Sequence, residues 1–100
     1  MIFVNFKTYQ EATGENAISL ASIIEEISSQ TKIKIIPVVQ VVDLRSVVGA
    51  TKVEVWVQKI DGHGYGAHTG SIVGGSVFEA GARGTFLNHS ENKFDDFTYV

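Results

Sequence analysis

The 100-residue sequence contains no cysteine, a single proline and no long apolar run. Without cysteine it can form no disulfide, no thiolate nucleophile and no cysteine-ligated zinc site. The chain has eight basic and eleven acidic residues, so its net charge is −3. This charge creates no positive field that would attract nucleic acid or anionic lipid. We therefore expect neither nucleic acid nor a membrane as a partner. No signal-peptide pattern precedes Ile2, so the expected location is the cytoplasm.

The composition that is present is typical of one folded domain. Hydrophobic residues make up 44% of the chain and charged residues 19%, which is ordinary for a globular protein. A chain of this length has room for one domain with its own core. We therefore treat residues 1–100 as a single domain.

Four short segments rich in β-branched and aromatic residues predict strands. They are residues 2–6, 33–39, 53–57 and 85–87. Helical periodicity separates them, over residues 15–29, over 41–48 and, less regularly, within 71–80. Alternation of strands and helices predicts parallel pairing with right-handed crossovers.

Single residues suggest where these helices start and stop. Thr13 is the predicted N-cap of the first helix. Gly49 is the predicted end of the second, in a backbone conformation with positive φ. The Gly74-Gly75 pair is expected to interrupt the third helix or to delay its start to Ser76.

A glycine-rich segment, Asp61–Gly75, follows the third predicted strand. Its glycines are spaced Gly-x-Gly-x-x-x-Gly, one residue too long for the dinucleotide-binding pattern, so a mobile surface loop is the favoured interpretation. Asp61, His63 and His68 are residue types that bind metals, but no helix or hairpin fixes their spacing. We predict no metal site.

Polar residues close three of the predicted strands, and the carboxyl ends of parallel strands meet at one edge of the sheet. Asn5 and Lys7 close the first strand and share a face, because side chains alternate along a strand. The third strand ends in residues 58–61 and the fourth in residues 88–91. A lysine and a histidine such as His89, brought together there, can stabilise an oxyanion.

A structural interpretation of the same residues stays open. Lys7 can be a solvated lysine at a strand end, and His89 can cap a following helix. Ser90 and Glu91 are residue types that commonly begin helices. Spacing alone does not separate this interpretation from the chemical one.

Three strings carry a resemblance to a known family. They are VNFKTY at residues 4–9, GAHTG at 66–70 and LNHSE at 87–91. In this order and spacing the chain resembles triosephosphate isomerase, most of all the archaeal branch, over residues 2–94. The tail, residues 95–100, does not resemble it. The resemblance implies an α/β fold, half of a (β/α)8 TIM barrel with about four parallel strands and intervening helices, since a complete barrel takes about 250 residues.

The resemblance also implies roles for individual residues. Lys7 would bind substrate and stabilise the enediolate, Asn5 would orient Lys7 and touch the substrate, and His89 would be the neutral imidazole that polarises the carbonyl. Thr69, near the family's subunit interface, and Glu91 would be supporting residues. The family reaction interconverts dihydroxyacetone phosphate and glyceraldehyde 3-phosphate without metal or cofactor.

The family's catalytic glutamate follows the sixth strand, and its phosphate-binding loops follow the sixth to eighth strands. These 100 residues contain no counterpart, so we expect no turnover from this chain alone. Two alternatives stay open: a segment that another chain completes into an active isomerase, and an engineered or evolved scaffold that only folds and self-associates.

Self-association is expected because half of a barrel exposes two strand edges and a concave face. That face would be lined by Val4, Phe6 and Val55, or by the alternate residues of the same strands. The expected partner is a second copy of the chain in a symmetric homodimer, and the expected ligand a triose phosphate.

Overall fold

The computed structural model of the protein describes residues 1–87. Strands β1 (Ile2–Asn5), β2 (Ile35–Val39) and β3 (Trp56–Val57) form one parallel sheet in the order β1-β2-β3. Helices α1 (Glu15–Thr31), α2 (Val41–Ala50) and α3 (Gly74–Glu79) alternate with the strands, and a short 3-10 turn covers Gln10–Ala12. The predicted α/β class with parallel strands is confirmed.

The hydrophobic core lies between the sheet and the helices. Helix α1 contributes Ala17 and Ala21 to this core, and both are fully buried. Their small side chains let the helix lie close to the sheet. The strands and their flanking residues contribute one alternating set, which comprises Val4, Phe6, Ile35, Val39, Val55 and Val57. Val4, Phe6 and Val55 therefore face the helices, and it is the alternate set that lines the opposite face of the sheet.

The third strand is shorter than predicted, two residues instead of five. Along β2 the carbonyl of Val38 accepts from β1 and the carbonyl of Val39 accepts from Gln58, just past β3. The backbone N–H and C=O groups of the odd-numbered residues of β2 therefore point toward β3. Pro37 occupies one of them and has no N–H to donate, so the ladder to β3 starts only at the pair Val38 and Trp56.

Of the fourth strand predicted at residues 85–87, the described part of the chain shows the parallel pairing with β3 but no regular strand. Thr85 makes one isolated parallel bridge with Val57. Val57 also donates to the carbonyl of Gly84 (3.0 Å) and accepts from the amide of Phe86 (3.4 Å). Up to residue 87 the segment therefore runs along β3 in parallel, as a fourth strand would.

Two predicted helix boundaries are wrong. Gly14, not Thr13, is the N-cap of α1, and the hydroxyl of Thr13 instead donates to the carbonyl of Tyr9 (2.7 Å). The Gly14 amide donates to the carboxylate of Asp43 in α2 (3.1 Å), so tertiary contact fixes this helix start. Gly49 lies inside α2, which ends one residue later at Ala50, and has no positive φ.

The third helix begins at Gly74, so the glycine pair forms its first turn and does not interrupt it. The exposed side chain of Tyr65 lies against Gly75. A Cβ there would lie 2.5 Å from the Oη atom of Tyr65. Among residues 1–87 no helix is long and apolar enough to cross a membrane.

Candidate active site at the carboxyl end of the sheet

The carboxyl end of β1 is held by a small hydrogen-bond network. Phe6, almost fully buried, donates its amide to the carbonyl of Val38 (3.0 Å) and anchors the chain to the sheet. The Oδ1 atom of Asn5 then accepts from the amide of Lys7 (2.9 Å). On the other side, the Nε2 atom of Gln58 donates to the carbonyl of Lys7 (2.7 Å). Lys7 is thus fixed through both of its own peptide groups.

Lys7 also adopts an unusual backbone conformation. Its φ of 51° lies in the left-handed region, which costs a non-glycine residue roughly 1 kcal/mol or more. Asn5 and Gln58 stabilise this turn. The Nζ atom of Lys7 lies 6.0 Å from the centre of the Tyr9 ring. Strain of this kind is concentrated at functional sites, because the surrounding structure must hold it in place.

The side chains of Asn5 and Gln58 both bond to the backbone of Lys7. The strand ends at Asn5 and Lys7 is left-handed, so the alternation that was expected to place the two side chains on one face does not extend to Lys7. Gln58 lies in the polar stretch after the third predicted strand, but no role was predicted for it. The signal available was its position at a strand end, since its contact with Lys7 spans 51 residues of chain. Residues 88–91, which include His89 and Glu91, lie outside the described part of the chain.

Thr69 is exposed in the loop between Asp61 and Gly75. The base of that loop is closed by Asp61 and Ile72, which exchange two hydrogen bonds of 2.7 Å, one from each amide. The amide of Ile72, followed by the ammonium of Lys59 at 3.0 Å, lowers the pKa of the Asp61 carboxyl below its ordinary value. The loop is therefore tied at its base.

Two histidines in the loop stack on each other. The rings of His63 and His68 lie 4.0 Å apart at 20°, and the Nε2 atom of His63 is 2.8 Å from the hydroxyl of Ser71. Ring nitrogens bind metals along lone pairs in the ring plane, and near-parallel planes do not converge on one ion. No group of three or more potential ligands that could hold a metal occurs within residues 1–87.

A second polar cluster lies at the opposite, amino-terminal end of the sheet. The carboxylate of Glu54 pairs with Lys34 (2.7 Å) and accepts from the indole Nε1 of Trp56 (2.7 Å). These two hydrogen bonds, with Lys34 the stronger influence, lower the pKa of Glu54 below its ordinary value. Because active sites of parallel α/β folds lie at the carboxyl ends of the strands, we assign this cluster a structural role.

A parallel sheet with helices packed on one face is the architecture of part of a β/α barrel. The sequence model of triosephosphate isomerase matches residues 1–96. The chain belongs to the triosephosphate isomerase family.

Individual relatives agree with this assignment. Triosephosphate isomerase of Methanothermus fervidus is 45% identical over 93 residues, which are 93% of this chain and 42% of that protein. The enzyme of Methanothermobacter thermautotrophicus is 42% identical over 93 residues, again 93% of this chain and 41% of the relative. The chain thus spans less than half the length of these relatives.

A solved structure gives the same result for the fold. The crystal structure of triosephosphate isomerase from Bartonella henselae matches with a TM-score of 0.70 at 26% identity, over 91% of this chain and 37% of that one. The prediction of part of a TIM barrel is confirmed.

Proposed function

We propose that this chain supplies the amino-terminal part of a triosephosphate isomerase site. In this proposal Lys7 and His89 polarise the carbonyl of a triose phosphate, and Asn5 contacts the substrate. The network that holds Lys7 between Asn5 and Gln58 is the observation that carries the proposal. Lys32 has the same left-handed backbone as the C-cap of α1, so the contacts from Asn5 and Gln58, and not the conformation, set Lys7 apart.

The chemistry follows from what each group can donate. Asn5 uses its Oδ1 atom to accept from Lys7, which leaves its NH2 group to donate to a substrate oxygen. Lys7 supplies a positive charge, and His89 a hydrogen bond, to the oxyanion that develops when a proton leaves carbon. Thr69 and Glu91 are proposed as supporting residues. The proposal includes no metal or cofactor, because proton transfer and oxyanion stabilisation suffice for this reaction.

The 100 residues by themselves are proposed to be inactive. Abstraction of a proton from carbon requires a base on the other side of the barrel mouth, where the family places its glutamate after the sixth strand. Loss of a general base costs typically about 10² to 10⁴ in rate. Glu91 cannot replace it, because it follows His89 by two residues at the fourth strand. A cytoplasmic location is proposed from the family alone.

An isomerase assay in trans tests the proposal. The chain is assayed alone and after mixing with the carboxyl-terminal remainder of the Methanothermus fervidus relative. Turnover is expected only in the mixture, and Lys7→Ala and His89→Ala should each abolish it. Lys32→Ala is the matched control, because Lys32 shares the left-handed conformation of Lys7 (φ 59°) but caps α1.

Each other outcome counts against the proposal. Robust turnover by the chain alone would refute its dependence on a missing base. Turnover of the mixture that survives Lys7→Ala would remove Lys7 from the chemistry. A mixture that forms a complex but shows no turnover would favour the alternative, a scaffold that folds and associates without catalysis.

A further inference from the structure

The segment that follows Lys7 places an aromatic ring beside its ammonium group. Lys7 turns the chain with its left-handed φ of 51°. Two residues further on, the centre of the Tyr9 ring lies 6.0 Å from the Nζ atom of Lys7. An ammonium group at this distance from an aromatic ring is attracted by the negative face of the ring.

The backbone of Tyr9 is held in place by the residues that follow it. Its carbonyl accepts from the amide of Ala12 (3.0 Å) and from the hydroxyl of Thr13 (2.7 Å). Ala12 is buried in the core, so this short turn is tied to the body of the protein. The exposed ring of Tyr9 therefore projects from a fixed backbone.

A second connection reaches the same turn from the neighbouring β/α unit. Gln40 is the N-cap residue of α2, but its side chain makes no capping hydrogen bond to its own helix. Instead its Nε2 atom donates to the hydroxyl oxygen of Thr13 (2.9 Å), 27 residues away in the chain. Because the same hydroxyl donates to the carbonyl of Tyr9, Gln40, Thr13 and Tyr9 form one hydrogen-bond relay.

The charge of Lys7 needs such contacts in addition to those on its backbone. Asn5 and Gln58 fix the peptide groups of Lys7. A lysine carries its charge on a flexible four-carbon stem, so a fixed backbone does not by itself fix the position of the ammonium. A charge stabilises a developing oxyanion best when it is already in place before the reaction.

We propose that Tyr9 is a positioning residue for the Lys7 ammonium, and that Gln40 acts through Thr13 to hold Tyr9 there. The inference rests on the proposed function, since that function gives Lys7 its role. It adds that the aromatic ring of Tyr9, and not its hydroxyl, is the group that acts on Lys7. It also adds that a residue of the second β/α unit helps to place the charge.

The expected effect on the rate is modest, because the pair is exposed. Tyr9 is 56% exposed, and pairs of a cation and a ring at exposed sites are weak. Tyr9→Leu, which removes the ring, should lower kcat by about 2- to 5-fold. KM should change less, because the negative charge that the ammonium meets grows in the transition state.

Nuclear magnetic resonance of the full chain measures the position of Lys7 without turnover. The ring of Tyr9 should shift the signals of the Lys7 ε-methylene protons upfield. Tyr9→Leu should abolish this shift, and Tyr9→Phe, which keeps the ring, should retain it. A shift that survives Tyr9→Leu, or no shift in the parent chain, would overturn the proposal.

Kinetics of the same variants test the role of the ring in the reaction. They are assayed in the mixture with the carboxyl-terminal remainder of the Methanothermus fervidus relative. Tyr9→Phe should restore the kcat that Tyr9→Leu loses, and equal losses in both would refute the role of the ring. Phe78→Leu is the matched control, since Phe78 is also exposed and its ring lies 5.3 Å from the Cζ atom of Arg83; it should leave kcat unchanged.

Variants of the relay test the proposal independently, including the case in which Tyr9→Leu fails to fold. Gln40→Met cannot donate to Thr13 and should reduce both the shift and kcat, by less than Tyr9→Leu does. Gln30→Met is its control, because Gln30 donates to Glu26 on an exposed part of α1 (3.3 Å). In a Thr13→Val background Gln40→Met should have no further effect, and additive effects would contradict the relay.

The outcomes separate this inference from the proposed function. Turnover that is equally fast with and without Tyr9→Leu would refute the inference and leave the role of Lys7 intact. A mixture without any turnover would refute the proposed function, and with it the catalytic part of the inference. The shift of the Lys7 protons would still decide whether Tyr9 holds the ammonium.

Discussion

Gly84 lies against the indole of Trp56, and this contact can be perturbed by a single methyl group. A Cβ at position 84 would lie 2.6 Å from both Cδ2 and Cζ2 of the Trp56 ring, far inside van der Waals contact. The φ of Gly84 is not positive, so the backbone itself would accept alanine. Gly84→Ala therefore tests packing alone. The ring cannot retreat freely, because its Nε1 donates to Glu54 and its face meets Phe3.

The expected cost of Gly84→Ala is that of overpacking a filled site, about 1–3 kcal/mol in the free energy of unfolding. Gly49→Ala is the matched control. It too has no positive φ, and nothing lies within 4 Å of a Cβ built there. Because Gly49 is inside α2, alanine should stabilise the protein by about 0.5–1 kcal/mol. The same substitution should thus act in opposite directions at the two positions.

Urea unfolding followed by far-ultraviolet circular dichroism measures both variants. Trp56 fluorescence is unsuitable here, because Gly84→Ala disturbs the fluorophore itself. All samples need one protein concentration, because any association equilibrium makes apparent stability depend on concentration. A Gly84→Ala variant as stable as the parent chain would refute the close contact between this segment and Trp56.

Three further predictions concern Glu54, Asp61 and Lys7. The pKa of Glu54 is held below its ordinary value of 4.5, so its ion pair stabilises the folded state above pH 4.5 and loses this effect as the pH falls through the lowered pKa. Glu54→Gln should therefore flatten this part of the curve of unfolding free energy against pH, and an unchanged curve would contradict the pairing. Asp61→Ala removes the acceptor of the Ile72 amide and should speed hydrogen exchange of that amide about 10-fold, while the other amides of the loop exchange fast in both proteins. Continued protection of the Ile72 amide would contradict the role of Asp61. Lys7→Gly relieves a left-handed backbone and should leave the free energy of unfolding unchanged or raise it by up to about 1 kcal/mol, and Lys32→Gly should do the same. Marked destabilisation by Lys7→Gly alone would show that the Lys7 side chain has a structural role.

The elements best predicted from the sequence are those whose signal is local. The regular apolar spacing along α1 and the continuous β-branched segment of β2 identified both elements, and each boundary lies within two residues of its predicted position. The string around Lys7 marked the end of β1, but the left-handed conformation of Lys7 was not predicted. In each case the residues that define the feature are neighbours in the chain.

The features that were missed depend on distant contacts. Gly14 caps α1, and its amide donates to the carboxylate of Asp43, 29 residues away in the chain. The missing N–H of Pro37 shortens a strand that lies about twenty residues further along the chain. Gln58 has its role only because folding places it against the carbonyl of Lys7. Local propensity cannot reveal such contacts, since tertiary structure creates them.

The central claim is that Lys7 and His89 of this chain belong to one isomerase site. The most direct measurement is the kcat of a single-chain chimera, in which residues 1–94 replace the matching part of the Methanothermus fervidus relative. We expect the chimera to isomerise triose phosphate, and we expect Lys7→Ala and His89→Ala each to lower kcat by about 10² to 10³, the cost of removing a group that stabilises an oxyanion, while Lys32→Ala leaves it unchanged. A chimera that turns over equally well without Lys7 would contradict the account.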